Sequence, residues 1–155
     1  MTITYKDSEG IAGMRVAGRL AAELLDYLAP FVKPGITTNE LDRLADAYTT
    51  QVQGAISAPL NYAPGGHNPY PKAICTSINH QVCHGIPNDK PLKKGDIVNV
   101  DVTVIKNGWH GDSSRMYMVG DVSVAARRLC NLTYDAMWKG IMRVREGAYL
   151  GDTGH

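Results

Sequence analysis

Residues 77–89, Ser-Ile-Asn-His-Gln-Val-Cys-His-Gly-Ile-Pro-Asn-Asp, place His80, Cys83 and His84 within five positions. Imidazoles and thiolates bind metals, attack carbonyls and carry protons, so three kinds of chemistry are open to this stretch. The His80–His84 spacing is the one by which a helix presents two metal ligands on one face. The segment is a poor helix, because Gly85 and Pro87 break it at once and no glutamate falls between the histidines. Cys83 and His84 are adjacent and point apart in an extended chain, which argues against a Cys/His catalytic pair. Two readings remain: one or two histidines on a surface loop, or a loop that delivers a single imidazole to a site built elsewhere.

A second constellation follows. Residues 97–106, Ile-Val-Asn-Val-Asp-Val-Thr-Val-Ile-Lys, alternate apolar and polar side chains and are rich in β-branched residues. Asn107-Gly108 is a strong hairpin signal, and 109–119 reads as the return strand. A two-residue turn makes Lys106 face Trp109, Thr103 oppose Asp112 and Asp101 oppose Ser114. Asp101 and Asp112 then share one face as diagonal neighbours, their Cα atoms about 7–8 Å apart. Aspartate suits strands poorly, and two like charges this close raise a pKa unless a positive charge lies between them. A divalent cation with oxygen ligands would serve; two acids on a solvated face, or acids paired with a base, are the alternatives. Arg115 falls on the opposite face by the same alternation.

Other reactive residues have plainer readings. His67 lies in a loop rich in glycine, proline and asparagine, and His155 is the last residue. His110 shares the aspartates' face and could ligate, but a structural or solvent role is the expectation. Cys75 and Cys130 read as small core residues. Three cysteines cannot all pair with one another, which favours a reducing, cytoplasmic setting. A net charge of +1 supplies no field for nucleic acid or an anionic membrane. No apolar run approaches the roughly 20 residues of a membrane span, and the polar N-terminus lacks the apolar core of a signal peptide.

The elements that must position these groups are legible as patterns. Ile11, Met14, Ala17, Ala21, Leu24 and Leu28 recur at helical steps, with Ser8 as N-cap and Pro30 near the end. A second helix starts on Thr37 with Glu40 as a capping box, carries Leu41, Leu44, Ala45 and Tyr48 on one face, and stops near Gly54. Residues 59–71 are loop, 72–79 hold a short strand, and a third helix is capped by Asp121 or Ser123. Val32-Lys33-Pro34-Gly35 after the first helix is echoed by Val144-Arg145-Glu146-Gly147 after the third, 112 residues on. The echo suggests a duplicated fold of which the chain holds little more than one copy.

The blocks MRVAGRLAAELL, VKPGITTNELD, YPKAICTSINHQVCHGIP and LKKGDIVNVDVTVIKNGWHGDSSRMYMVG together resemble the type I, bacterial-type methionine aminopeptidases, through essentially the whole chain. The resemblance implies the α/β pita-bread fold, in which two related halves with antiparallel strands and helices flank a dinuclear metal site. Residues 1–155 would be a single, truncated domain, its N-terminal half, with the hairpin 97–106/109–119 covered by helices. Position by position, Asp101 and Asp112 match the first half's metal-binding aspartates. His84 matches the histidine that contacts substrate near the scissile amide and serves catalysis. Tyr62, Tyr70 and Cys75 match the lining of the methionine pocket, although Ala63–Pro69 reads as an insertion between the two tyrosines. Asn79 and Gln81 fall where backbone carbonyls hold a monovalent cation.

The implied activity is removal of the N-terminal methionine from nascent chains whose second residue is small. The implied cofactors are two divalent ions, Co, Mn, Fe or Zn, and the implied partners are nascent N-termini and the ribosome. The family's remaining ligands, one His and two Glu, come from its second half, and the sequence reaches Gly-Asp-Thr-Gly-His before them. Little activity is therefore expected of the chain alone. An inert binding module, or a half-domain that associates with itself, is the alternative.

Overall fold

The structure, a computed structural model, describes residues 3–155 and resolves into two compact units, one ending at Asp121 and one spanning Val122–His155. The first unit is mixed α/β, with an antiparallel sheet covered by helices. Helix α1 runs Ser8–Leu28 and continues into a 3-10 turn at Ala29–Phe31. Asp7, not Ser8, is its N-cap: the Asp7 carboxylate accepts from Gly10 N–H at 2.8 Å, and Ser8 is the first helical residue. Asp and Ser are caps of nearly equal strength, so the sequence alone does not separate the two positions.

Ala17, Ala21, Leu24 and Leu28 are buried as expected, whereas Ile11 and Met14 on the same stripe are 45% and 43% exposed. Only the C-terminal part of that stripe lies over the main core. Helix α2, Thr38–Ala47, is capped by the Thr37 hydroxyl, which accepts from Glu40 N–H at 3.1 Å. The capping box is half made, because the Glu40 carboxylate pairs with Arg43 instead.

The sheet is organised by its longest strands. Strands β1 (Ile56–Ser57) and β2 (Cys75–Ile78) pair with one edge of β3 (Ile97–Lys106), while β4 (Trp109–Met118) takes the other. All pairings are antiparallel. The β3–β4 register is the expected one: Lys106 faces Trp109, Thr103 faces Asp112 and Asp101 faces Ser114. Asn107 and Gly108, at φ 51° and 82°, give the turn whose twist matches the strands. Strand β4 ends one residue before the expected position 119. Strand β1 has too short a run for any periodicity to reveal it.

Side-chain alternation divides the sheet sharply. Val98, Val100, Val102 and Val104 are at most 1% exposed and pack toward α1, with Leu24, Leu25, Leu28 and Leu41 completing the core. Gly111 permits the closest approach: a Cβ there would lie 2.2 Å from the Ala17 backbone. The contact continues where Arg115 pairs with Asp26 at 2.7 Å and the Tyr117 hydroxyl donates to Leu25 O at 2.6 Å. Asn99, Asp101, Thr103 and Ile105 point to the other face.

The second unit holds helix α3, Val124–Ile141, capped by Ser123, and a 3-10 turn at Leu150–Thr153. The sequence echo has a backbone counterpart. Gly35 and Gly147 have φ 94° and 80°, and the residues two further on, Thr37 and Tyr149, are N-caps with nearly equal dihedrals (−92°, 153° and −96°, 154°). The chain thus turns the same way after α1 and after α3.

Asp42 on α2 braces the entrance to β2. Its carboxylate accepts from Ala73 N–H at 2.8 Å and Ile74 N–H at 3.2 Å, with Lys72 3.6 Å away. Burial pushes the carboxyl up in spite of these three partners. The amide acceptance therefore matters more than the charge. Asp42→Ala, which orphans two buried N–H groups, should cost about 2–3 kcal/mol in urea unfolding, and Asp42→Asn less than about 1 kcal/mol.

Candidate active site

A cleft of about 700 Å³ opens over the exposed face of the hairpin. Its floor is Asp101, Thr103, Ile105, His110 and Asp112; its walls are Ala58, Pro59, Tyr62, Pro64, Asn68, Tyr70, Cys75 and His84. Six residues expected from the sequence, His84, Tyr62, Tyr70, Cys75, Asp101 and Asp112, thus meet in one place, although they are up to 50 positions apart.

His84 arrives through a backbone device. Gly85 is pressed against β2, where a Cβ would lie 2.1 Å from Thr76 O. Its carbonyl accepts from Thr76 N–H at 2.8 Å and its N–H donates to Ser77 Oγ at 3.0 Å. With Gly85 clamped, His84 adopts φ 54°, a conformation rare for a residue with a side chain. The imidazole is turned into the cleft while Cys83 and His80 stay exposed outside it. The single-imidazole reading of this segment is the one the geometry supports.

Tyr70 closes the inner wall. Its hydroxyl is shared between Ile74 O at 3.1 Å and Gly85 O at 3.2 Å. Burial and a hydrogen bond with Cys75 push it far above the ordinary phenol range, so it remains a neutral donor. Burial likewise raises the Cys75 thiol, against the lowering effect of Tyr70. Cys75 is half-buried and protonated, a lining group and not a nucleophile. Tyr62, 63% exposed, forms the rim.

Asp101 opposes Cys75 on one side and Ser114 on the other. Its carboxyl is raised first by burial and then by the charge of Asp112, with His84 acting in the opposite sense. A carboxyl whose ionisation is disfavoured by a neighbouring carboxylate fits a cation between the two. Among the described residues no three His, Cys, Asp or Glu side chains gather closely enough to hold a metal ion. The pair therefore fits one side of a metal site and does not complete it. His110 lines the cleft beside Asp112 and does not complete a ligand set.

Asn79 and Gln81 lie outside the cleft, in the turn after β2. The Asn79 side chain donates to Asp96 Oδ1 at 2.9 Å and accepts from Ile97 N–H at 3.0 Å; Gln81 Oε1 accepts from Ile78 N–H at 3.2 Å. Pro64, Asn68, Ala58 and Pro59 line the cleft without having been singled out in the sequence. The bracketing tyrosines were the available signal for Pro64 and Asn68; nothing local marked the other two.

Residues 12–155 match the model of metallopeptidase family M24. The chain belongs to that family. The M24 chain is 58% identical over 155 residues to the methionine aminopeptidase of Rickettsia prowazekii (strain Madrid E), covering 100% of itself and 58% of that protein. It is 50% identical to the methionine aminopeptidase of Escherichia coli (strain K12), covering 99% of itself and 57% of that relative. The crystal structure of the Rickettsia prowazekii enzyme superposes with a TM-score of 0.93 over 99% of this chain and 59% of that one. The chain thus spans somewhat under three-fifths of the length of these relatives, and its architecture is that of the first half of the pita-bread fold.

The pKa of Asp101 carries a sign that can be checked without metal. A carboxyl raised in the folded state penalises folding once the unfolded chain ionises, so the penalty is absent below about pH 4 and complete above the folded pKa. Asp101→Asn removes it. Metal-free Asp101→Asn should unfold at the same temperature as the wild type near pH 3 and at a higher one at pH 7, by scanning calorimetry.

Proposed function

We propose that the cleft is the first-half wall of a methionine aminopeptidase site. The observation that carries this is the convergence of His84, Tyr62, Tyr70 and Cys75 on the same cleft as Asp101 and Asp112. The family is one of metallopeptidases, and the like-charged carboxyl pair suits divalent ions. Asp101 and Asp112 would hold them, together with groups that the described residues do not bring to the cleft. When bound, such ions supply Lewis acidity and a water acidic enough to attack at neutral pH.

The chain's own residues do the remaining work on this side. Tyr62, Tyr70 and Cys75 take the thioether side chain of an N-terminal methionine, and the neutral Tyr70 hydroxyl and Cys75 thiol keep that wall uncharged. The carboxyl pair lies where the free amine of the substrate can be held, which restricts cleavage to the first residue. His84 reaches the scissile amide and donates to the oxygen on which charge develops. Nascent chains with a small second residue are the substrate class. The carbonyls of Asn79 and Gln81 would face a monovalent cation and stiffen the loop that ends in His84. A cytoplasmic setting agrees with the three free cysteines, and no helix among the described residues is long and apolar enough to cross a membrane.

The two-carboxylate count favours a second reading, in which these 155 residues bind more than they hydrolyse. Trp138, Ile141 and Met142, each at least 46% exposed on the second unit, offer an apolar surface for association. Mn(II) titration by electron paramagnetic resonance, with methionine release from Met-Ala-Ser in parallel, separates the readings. We expect weak Mn(II) binding that Asp112→Ala reduces at least tenfold. Methionine release abolished by the same substitution supports catalysis; Mn(II) binding without release supports the binding module. Binding unaffected by Asp112→Ala would sink the metal assignment.

A further inference from the structure

We propose that Asn68 is a substrate-contacting residue whose carboxamide takes the main chain of a bound peptide, so that the 62–70 hairpin reads peptide beyond its first side chain. The proposal rests on the aminopeptidase reading of the cleft. The segment between the two tyrosines is a closed hairpin. Asn61 N–H donates to Tyr70 O and Tyr70 N–H to Tyr62 O, both at 2.9 Å, and these bonds pin its base. At the tip His67 N–H donates to Pro64 O at 3.1 Å, across Gly65 and Gly66 at φ 50° and 86°. Between base and tip, Pro64 and Asn68 come back to line the cleft.

Asn68 is the one side-chain amide among the lining residues. Asn39, Asn79, Asn88 and Asn99 commit their side chains to Asp89, Asp96, Lys90 N–H and Ser114. Asn61, Asn68, Asn107 and Asn131 make no such side-chain bond among the described residues, and of these four Asn68 alone lines the cleft, where it is exposed. A carboxamide offers a donor and an acceptor side by side, the complement of a peptide group. A methionine side chain presents nothing of that kind, and its amine belongs to the carboxyl pair. The polar groups left for Asn68 are the main-chain amides of the peptide.

The test uses the full 155-residue chain, 15N-labelled, titrated with Met-Ala-Ser and with methioninol, which keeps the amine and the thioether side chain but has no amide. The tripeptide should shift the Asn68 side-chain resonances and methioninol should not. Asn68→Ala should weaken the tripeptide about 2–10-fold, the range of one hydrogen bond, and leave methioninol unchanged. Equal weakening of both ligands, or none, overturns the role of Asn68 while the site itself stands. A wild-type chain that binds neither ligand overturns the aminopeptidase reading and Asn68's part with it.

Discussion

The close approach of α1 to β4 at Gly111 is the constraint on which the site depends. With no side chain at that position, the Ala17 backbone sits directly on the strand. Helix α1 therefore covers one face of the β3–β4 hairpin and takes up its four valines. Strand alternation then leaves the other face no choice. Asp101, Thr103, Asp112 and His110 must point away from the helix, and the cleft forms over them. A slip of one residue in β3 would turn its valines outward and Asp101 into the core, and a slip in β4 would turn Asp112 inward, at a cost no domain of this size could absorb. The register is thus held by apolar burial on one side and displayed as chemistry on the other.

The walls are positioned by a different means, through backbone polar groups. Gly85 fixes His84 by exchanging hydrogen bonds with Thr76 and Ser77, Asp42 grips the amides of Ala73 and Ile74, and Tyr70 ties its hydroxyl to Ile74 and Gly85. These contacts share the short stretch from Ala73 to Ser77. Strand β2 therefore locates Cys75, Tyr70 and His84 together against Asp101. Lys106 plays a similar part at the far end, donating to the carbonyls of Gln53 and Gly54 at 2.8 Å. One side of the cleft follows from hydrophobic patterning and the other from hydrogen bonds at strand ends.

That division explains what could be read from the sequence. The hairpin, its register and the shared face of Asp101 and Asp112 follow from period-two alternation and Asn107-Gly108, both local signals. The resemblance supplied His84, Tyr62, Tyr70 and Cys75, which no spacing rule connects to position 101. Asp7 in place of Ser8 as N-cap, and the exposure of Ile11 and Met14, were not legible, because adjacent caps compete within a fraction of a kcal/mol and a stripe does not say where its core ends. Strand β1 is two residues long and exists only because β3 offers an edge. Pro64 and Asn68 sit in a segment whose composition says loop; that the loop folds back on itself is a tertiary outcome.

The electrostatics of Asp101 join fold and chemistry. In a chain selected for stability alone, a half-buried carboxyl beside a second one would give way to Asn or Thr, which suit a strand better. Here the penalty is retained, and burial is its largest cause, ahead of the Asp112 charge. Burial of one acid would strengthen the hold of charge on a cation between the two, since solvent screens it less there. The unfavourable energy of the carboxyl pair and the divalent-ion site proposed for it would be two sides of one arrangement. The same holds for His84, whose left-handed backbone costs stability and aims an imidazole at the carboxyl pair. Where this fold departs from local preference, it does so toward the cleft.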